Sequence, residues 1–360
     1  MVGFGHHRLS QHRQFLIIGY LLAVLMTIIL VCNRQRKREI GDTATLPHDD
    51  QLILNDVDAG NNSRELNNPT MHDVQNPHSF EFLENPSHRC LNSPFIVIIT
   101  PSRPQNPEGR RVIRSMRKHV EVISERAIVQ LFIMGTSGKT SLEDLRNESR
   151  LHNDIILVDF IDTYKNLSLK TLMLLKWVNN YCQQTKYILK ADDDVYVNLP
   201  NLVRLLVSAP TEGYVVGNVH SFSPPIRSKW SKNYVSVEDW PEKLYPPFPF
   251  GFAYAFSVDI AARVYQTALS IKLFPMEDVY IGIILKQIDV KPVKNKMFVE
   301  FPDIFTEKSF FCPNETIVMH MHGSRSLTHY YKELSSQTGE CIRGQVLRKM
   351  RKTRLNRFIS

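Results

Sequence analysis

Lys186-Tyr187-Ile188-Leu189-Lys190-Ala191-Asp192-Asp193-Asp194-Val195-Tyr196-Val197 reads as a buried strand that ends in three consecutive carboxylates. Side chains alternate faces along a strand, so Asp192 and Asp194 share one face and Asp193 points away. Carboxylates this close repel one another, and burial raises the cost. A divalent cation would relieve it. Oxygen ligands suit a hard ion such as Mn²⁺, with Mg²⁺ as the alternative, and such ions commonly also hold substrate phosphates. The competing reading is a solvated acidic turn. The apolar run before the acids and Val-Tyr-Val after them favour a site, because open α/β sheets bind ligands at the carboxyl ends of parallel strands.

Upstream, apolar runs alternate with helical patterns. Phe95–Thr100 is a continuous apolar strand, and Arg110–Val122 a basic helix. Ile128–Gly135 is a second strand, Leu142–Arg150 a second helix and Asp154–Val158 a third strand. Asn166–Gln184 is a long helix with Leu172, Leu175 and Cys182 at helical spacing. Such alternation predicts βαβ units and an α/β fold with a mainly parallel sheet, covered by helices on both faces. Downstream, Pro200 suits a first helical turn and Tyr214–Gly217 is another strand. Residues 220–250 are too rich in proline for regular helix. Their aromatics, Trp230 and Tyr245 among them, are either core filler or a wall on which a ring can stack, with filler favoured. Gly251–Ser257 then feeds a helix with Ser257 as N-cap and Asp259 in its first turn.

The chain has 360 residues and a net charge of +8. Residues 1–38 carry six Lys/Arg and residues 343–360 carry seven, with no acid in either. Removing those 13 leaves the middle at −5, so the high pI does not argue for nucleic-acid binding. Phe15–Cys32 is an uncharged apolar run of 18 residues, about 27 Å as a helix, followed by basic residues rather than a small-residue cleavage pattern. It reads as an uncleaved signal anchor across a thin bilayer. Two Lys/Arg precede it and four follow, which taken literally places the body in the cytoplasm. Four sequons, at Asn61, Asn147, Asn166 and Asn314, point instead to a lumenal body. Cys90, Cys182, Cys312 and Cys341 are compatible with two disulfides there, in no pairing the sequence reveals. Residues 39 to about 88 lack periodicity and read as a flexible stem.

Glu277-Asp278 opens another helix. Acids in a first turn complement the helix dipole, which accounts for most such pairs. The functional reading is a general base whose pKa its neighbours raise.

Several stretches together resemble one family. Asp159-Phe160-Ile161-Asp162-Thr163-Tyr164-Lys165-Asn166-Leu167-Ser168-Leu169-Lys170-Thr171 resembles its D-F-x-D-x-Y-x-N-L-T-L-K-T signature. Lys190–Val195 resembles K-x-D-D-D-x, and Glu277–Gly282 resembles E-D-V-Y-V-G. Tyr245-Pro246-Pro247-Phe248 with Gly251, Tyr254 and Ser257 resembles Y-P-P-Y followed by G-x-G-Y-x-x-S. These are motifs of the β1,3-galactosyltransferases and their β1,3-N-acetylglucosaminyltransferase relatives, and the likeness runs from about Phe95 to Tyr331. It implies a GT-A fold, a UDP-sugar donor, Mn²⁺ and inversion at the anomeric carbon. It implies Asp194 and His320 as metal ligands, with His322 as the alternative. Asp192, Asp193, Lys190, Arg110 and Arg114 fall to the donor side. Asp278 is the base with Glu277 beside it, and Trp230, Tyr245, Gly251 and Tyr254 stand on the acceptor side.

The implied layout is a Golgi type II membrane protein. It has a cytoplasmic tail (1–14), a transmembrane anchor (15–32), a stem (33–88), a lumenal catalytic domain (89–342) and a basic tail (343–360). The expected partners are the membrane, the UDP-sugar and an oligosaccharide acceptor on a glycoprotein or glycolipid. The leading activity is β1,3-galactosyl transfer. The alternatives are N-acetylglucosaminyl or N-acetylgalactosaminyl transfer, or a catalytically silent relative. Three positions depart from the family pattern. Met116-Arg117 replaces a Thr-Trp, Ala253 replaces a glycine, and no cysteine stands near Ile284.

Overall fold

The computed structural model describes residues 79–117, 121–300, 310–311, 316–321 and 342–343. The anchor at 15–32, Asn61, Asn314, Cys312, Cys341 and His322 lie outside the described residues. Among those described, no helix is long and apolar enough to cross a membrane.

In chain order the strands β1 (Phe82–Glu84), β2 (Ile96–Pro101), β3 (Val122–Ile123), β4 (Arg126–Thr136), β5 (Ile155–Ile161), β6 (Tyr187–Ala191) and β7 (Val195–Val197) lead to the acids and just past them. Then come β8 (Val215–His220), β9 (Phe248–Ser257), β10 (Val293–Lys294), β11 (Phe298–Glu300), β12 (Phe310–Phe311), β13 (Val318–His320) and β14 (Ile342–Arg343). The helices are α1 (Pro107–Arg117), α2 (Leu142–His152), α3 (Leu167–Tyr181), α4 (Leu199–Val207), α5 (Val258–Ala268) and α6 (Glu277–Gln287). The main sheet runs β1-β5-β4-β2-β6-β9-β8-β10, with β3 attached to β4. Strands β5, β4, β2 and β6 are mutually parallel, as the alternating pattern predicts. Strand β9 reverses direction against β6 and β8.

Strand β2 shows why both faces need cover, since it is buried throughout. Val97 and Ile99 join a core with Leu172, Trp177 and Val178 of α3, Ile260 and Val264 of α5, and Ile284 of α6. Ile96 and Ile98 join the opposite core with Leu199, Leu202 and Leu206 of α4. A third cluster sets Val112, Ile113 and Met116 of α1 against Ile155 and Leu157. Met116 and Ile284, two of the departures, are therefore core residues. Ala253 is buried opposite Ala191, where its methyl fits the pairing of β6 with β9.

Several boundaries differ from the sequence reading. The ordered body extends upstream of residue 89. Strand β1 forms the sheet edge, pairing antiparallel with β5, and Trp177 Nε1 donates to Asn85 Oδ1 at 2.7 Å. Helix α1 is assigned to Pro107–Arg117, and Val122-Ile123 hairpins onto β4 through Ser124 and Glu125 at φ 50° and 63°. A two-residue turn with both φ positive matches the twist of its strands. Ser257 does not cap α5 with its side chain. Its hydroxyl accepts from Tyr214 N at 3.0 Å and donates to Asp259 at 2.6 Å. Asn198 does cap α4, accepting from Asn201 N at 3.1 Å.

Cys90 and Cys182 form a disulfide across 92 residues, tying the end of α3 to the segment before β2. Closing so long a loop restricts the unfolded chain, typically for about 2–5 kcal/mol. Cys182→Ala, paired with Cys90→Ala, is expected to lower stability by that amount in urea unfolding. An unchanged midpoint would show that the crosslink carries no stability.

Candidate active site

A cavity of about 800 Å³ opens at the carboxyl ends of β2, β5 and β6. Ser102, Asp162, Lys170, Lys190 and all three acids line it, facing Gly251, Glu277, Asp278 and His320. This is the edge where a parallel sheet binds ligands.

The acids sit in a turn just beyond β6, not on the strand. Ala191 is the last strand residue, and Val195 N donates back to Asp192 O at 3.3 Å. The alternation expected for a strand therefore does not apply, yet the three side chains still diverge. Asp193 turns onto the β2–α1 loop, accepting from Ser102 Oγ at 3.0 Å and Asn106 Nδ2 at 2.7 Å. Asp192 accepts from Lys190 Nζ at 2.6 Å. Asp194 Oδ2 meets His320 Nε2 at 3.4 Å.

His320 reaches Asp194 through strand pairing. Strand β13 runs antiparallel to β7 with His320 opposite Val195, and Met321 N donates to Asp194 O at 2.9 Å. Its ring stacks on Phe252 at 5.5 Å and 8°. Burial disfavours the charged imidazole, but the hydrogen bond and charge of Asp194, with Asp192 and Glu300, raise its pKa. Among the described residues no three His, Cys, Asp or Glu side chains are grouped for a metal. Asp194 and His320 alone supply one carboxylate and one imidazole. Two ligands about 2.1 Å from one octahedral ion sit about 3 Å apart, near the spacing found. A Mg²⁺-like ion takes one or two carboxylates and fills its other positions from water and substrate phosphates. The pair fits such an ion, and the imidazole is acceptable to Mn²⁺.

Lys190 is the centre of charge. Its ammonium donates to Asp192 and to the carbonyl of Gly251, and lies 3.8 Å from Glu277 Oε2. Burial alone would lower its pKa; Asp192 and Glu277 outweigh that and raise it. Asp192 itself is pushed up to about 6 by burial, with Glu277 and Asp194 adding to the rise and Lys190 opposing it. Glu277 is 9% exposed, and its Oε1 accepts from Thr171 Oγ1 at 2.9 Å and Tyr254 OH at 2.6 Å. Asp278 is placed differently. Its Oδ2 accepts from Gly251 N at 3.2 Å and its Oδ1 from Val279 N at 2.9 Å, and it faces the cavity. Burial and the Glu277 charge push its carboxyl up to about 6. Gly251 lets helix and strand approach closely, since a Cβ there would stand 3.3 Å from Asp278 Oδ2 and 3.4 Å from Glu277 Oε2.

Some expected site residues lie elsewhere. Arg110 and Arg114 do not line the cavity. Arg110 donates to Glu148 at 2.6 Å and to the carbonyl of Arg103 at 2.7 Å, while Arg114 grips Asp154 and Glu148. They brace the loop that carries Ser102. Tyr254 is buried and acts behind Glu277. Trp230 is 98% exposed and does not line this cavity. Tyr245, Trp240 and Phe274 pack together with ring centroids 5.5–6.1 Å apart, so filler is the main use of these aromatics. At Asn166 the amide donates to Ile161 O at 2.7 Å and the Ser168 hydroxyl donates to Phe274 O at 2.6 Å, so both sequon side chains are engaged within the fold. Asn147 is exposed on α2.

Sequence reasoning quoted Asp162, Lys170 and Thr171 without giving them roles. Asp162 and Lys170 form a buried ion pair at 2.8 Å on the cavity wall, and Lys170 also donates to Ser102 O. A lysine eight residues after an aspartate inside one signature was the available signal. His220 carried none.

The Galactosyltransferase family profile matches residues 108–296. Beta-1,3-galactosyltransferase 1 of mouse and of human are each 34% identical over 269 residues, covering 73% of this chain and 81% of theirs. Lactosylceramide 1,3-N-acetyl-beta-D-glucosaminyltransferase B of Xenopus laevis is 37% identical over 226 residues, covering 59% of this chain and 60% of that one. A solved glycosyltransferase that glycosylates the major capsid of PBCV-1 aligns with 67% of this chain and all of its own, at 13% identity and a TM-score of 0.35, too loose to argue from. The chain belongs to the galactosyltransferase family that joins the β1,3-galactosyltransferases with the β1,3-N-acetylglucosaminyltransferases.

Lys190→Met tests the charge balance. It strands Asp192 and Glu277 without their shared cation, and breaking a buried pair costs about 3–5 kcal/mol. A loss of that size is expected in chemical unfolding at neutral pH, shrinking as the pH falls through about 6 and Asp192 protonates. A pH-independent loss would assign the effect to packing alone.

Proposed function

We propose that this chain is an inverting β1,3-galactosyltransferase of the Golgi lumen, using UDP-galactose and a Mn²⁺ ion held by Asp194 and His320. The observation that carries the reading is Asp278. It is a carboxylate lining the same cavity as the Asp194–His320 pair, fixed by two backbone N–H groups and raised to about 6. A general base works best with a pKa near the working pH.

In this reading the acceptor hydroxyl gives its proton to Asp278 as its oxygen attacks the anomeric carbon. The bond to UDP breaks, and the diphosphate leaves with the bonding electrons. Attack opposite the leaving group needs one base and inverts the centre. Bound at Asp194 and His320, a divalent ion would neutralise the charge that develops on the diphosphate. Lys190 and Glu277 keep the electrostatics around Asp278 fixed, and Asp193 holds the Ser102 loop against the donor. Galactose is favoured because the galactosyltransferase relatives cover 73% of this chain and the N-acetylglucosaminyltransferase 59%. The Cys90–Cys182 disulfide supports a lumenal body, since such bonds persist in oxidising compartments. An anchor at 15–32 would then place the catalytic body on the lumenal side.

Asp278→Asn is expected to cut kcat by about 10²–10⁴-fold. Ionised Asp278, with its pKa raised from 3.8 to about 6, opposes folding above that pH. The Asn variant should therefore melt no lower than the parent at pH 7.5. Parent-like turnover in the folded variant overturns the assignment. In the parent, kcat/KM should fall about tenfold per pH unit below about 6, because only the ionised carboxylate accepts the proton. A screen of UDP-galactose, UDP-N-acetylglucosamine and UDP-N-acetylgalactosamine should show fastest turnover with galactose. A different preferred sugar overturns the donor and leaves the base in place.

A further inference from the structure

The stretch between β8 and β9 carries groups that the transfer chemistry leaves unused. Residues 226–235 close into a loop. Val235 N donates to Ile226 O at 3.0 Å, and Ser231 N to Ser228 O at 3.0 Å. Arg227 braces its base, donating to the carbonyl of Val235 at 3.0 Å and to those of Ser236 and Trp240 at 2.5 Å. Near the tip Trp230 is almost fully exposed, with Lys229 and Lys232 exposed on either side. Lys232 lies over the Tyr164 ring at 5.2 Å, and Tyr164 OH donates to Asn233 Oδ1 at 3.1 Å. Tyr164 and Ile226 are exposed as well, and both line the cavity with Lys232. The loop and the β5–α3 connection therefore form one apolar and basic collar at the cavity rim. From Ser221 to Val237 the chain holds no acid. Glu238, Asp239 and Glu242 follow further along, and Asp239 accepts from Lys272 at 3.2 Å. A loop braced in this way cannot fold its tryptophan back onto the body, so the exposure is built in.

We propose that this collar docks on a bilayer surface, with the Trp230 indole in the headgroup layer and Lys229 and Lys232 against headgroup phosphates. An indole has an apolar body and one polar N–H, and such rings gather at membrane–water interfaces. Lysine stems lie along apolar surface while their ammonium groups reach the polar layer. A side chain that stands clear of the fold offers a projection rather than a groove, which suits a soft layer of headgroups better than a shaped partner. Only 46 residues separate Cys32 from the first described residue, 79. An anchor at 15–32 would hold a bilayer within that reach and raise its effective concentration at the collar. Because the collar rims the cavity, docking would bring the cavity mouth to the membrane. The inference goes beyond the transferase reading and does not depend on it.

Tryptophan fluorescence provides the test, because the chain has three tryptophans and none lies in 15–32. Trp177 is buried, and Trp240 packs against Tyr245 and Phe274. The full chain is deglycosylated, since the Asn166 sequon adjoins the collar, and reconstituted in vesicles of phosphatidylcholine and phosphatidylserine with or without brominated lipid. Bromination should quench about a third of the emission, the share of one tryptophan in three. Trp230→Phe should abolish that quenching. Lys229→Glu combined with Lys232→Glu should abolish it too, with Tm unchanged, whereas Lys229→Arg with Lys232→Arg should keep it. Raising the salt from about 0.1 M to about 1 M should weaken it in the parent. The proposal falls if the parent is not quenched, if Trp230→Phe is quenched as strongly as the parent, or if charge reversal leaves the quenching intact. Trp230-dependent self-association in detergent, without quenching in vesicles, would overturn it in favour of a second copy of the chain. Quenching in a protein that turns over no UDP-sugar would sink the transferase reading and leave the docking surface standing.

Discussion

One buried ammonium holds this site together. Lys190 enters from the core end of β6 and ends among Asp192, Glu277 and the carbonyl of Gly251. Each of these belongs to a different piece of the fold: the turn after β6, the start of α6 and the middle of β9. Isolated charges in such a place would be very costly. Their mutual compensation makes the arrangement tolerable and fixes where the turn, the strand and the helix must meet. Burial and the charge of Glu277 raise the pKa of Asp278 to about 6, while Lys190 and the N–H groups of Val279 and Gly251 oppose the rise.

Close approach is the second requirement. Helix α6 can set its acids against β9 only because small residues lie at the contact. A Cβ at Gly251 would crowd Asp278, and one at Gly282 would stand 2.5 Å from the Phe248 Cβ. Antiparallel β9 is therefore both a sheet strand and the wall of the site. Its N-terminal half carries Phe248, Phe250 and Phe252 toward the cavity, while its C-terminal half buries Tyr254 behind Glu277. On the far side of the turn, Asp193, Ser102 and the Lys170–Asp162 pair lock the β2–α1 loop. Arg110 and Arg114 brace that loop and helix from behind through Glu148 and Asp154.

The departures from the family pattern read differently once they are placed. Met116 and Ile284 fill core clusters, and Ala253 fits a small–small contact between strands. None of the three lines the cavity. They bear on packing and leave Asp192–Asp194, Asp278 and His320 untouched. Sequence alone could not show this, since a position in a motif does not say whether its side chain faces ligand or core.

By itself the sequence determined the alternation of apolar strands with amphipathic helices, and with it a parallel α/β core with ligands at its carboxyl edge. It also singled out Asp192 to Asp194 and Glu277-Asp278, because clustered acids beside apolar runs are chemically conspicuous. Only the tertiary structure decided the division of labour among them. Asp193 became a loop anchor, Glu277 a buried partner of Thr171, Tyr254 and Lys190, and Asp278 a cavity carboxylate held by the N–H groups of Gly251 and Val279. It also decided that His320 meets Asp194 and that Arg110 and Arg114 turn inward to Glu148. The physical reason is that strand and helix periods are local and legible in the chain. The partner of a charged side chain is set by contacts as distant in sequence as the 106 residues between Thr171 and Glu277.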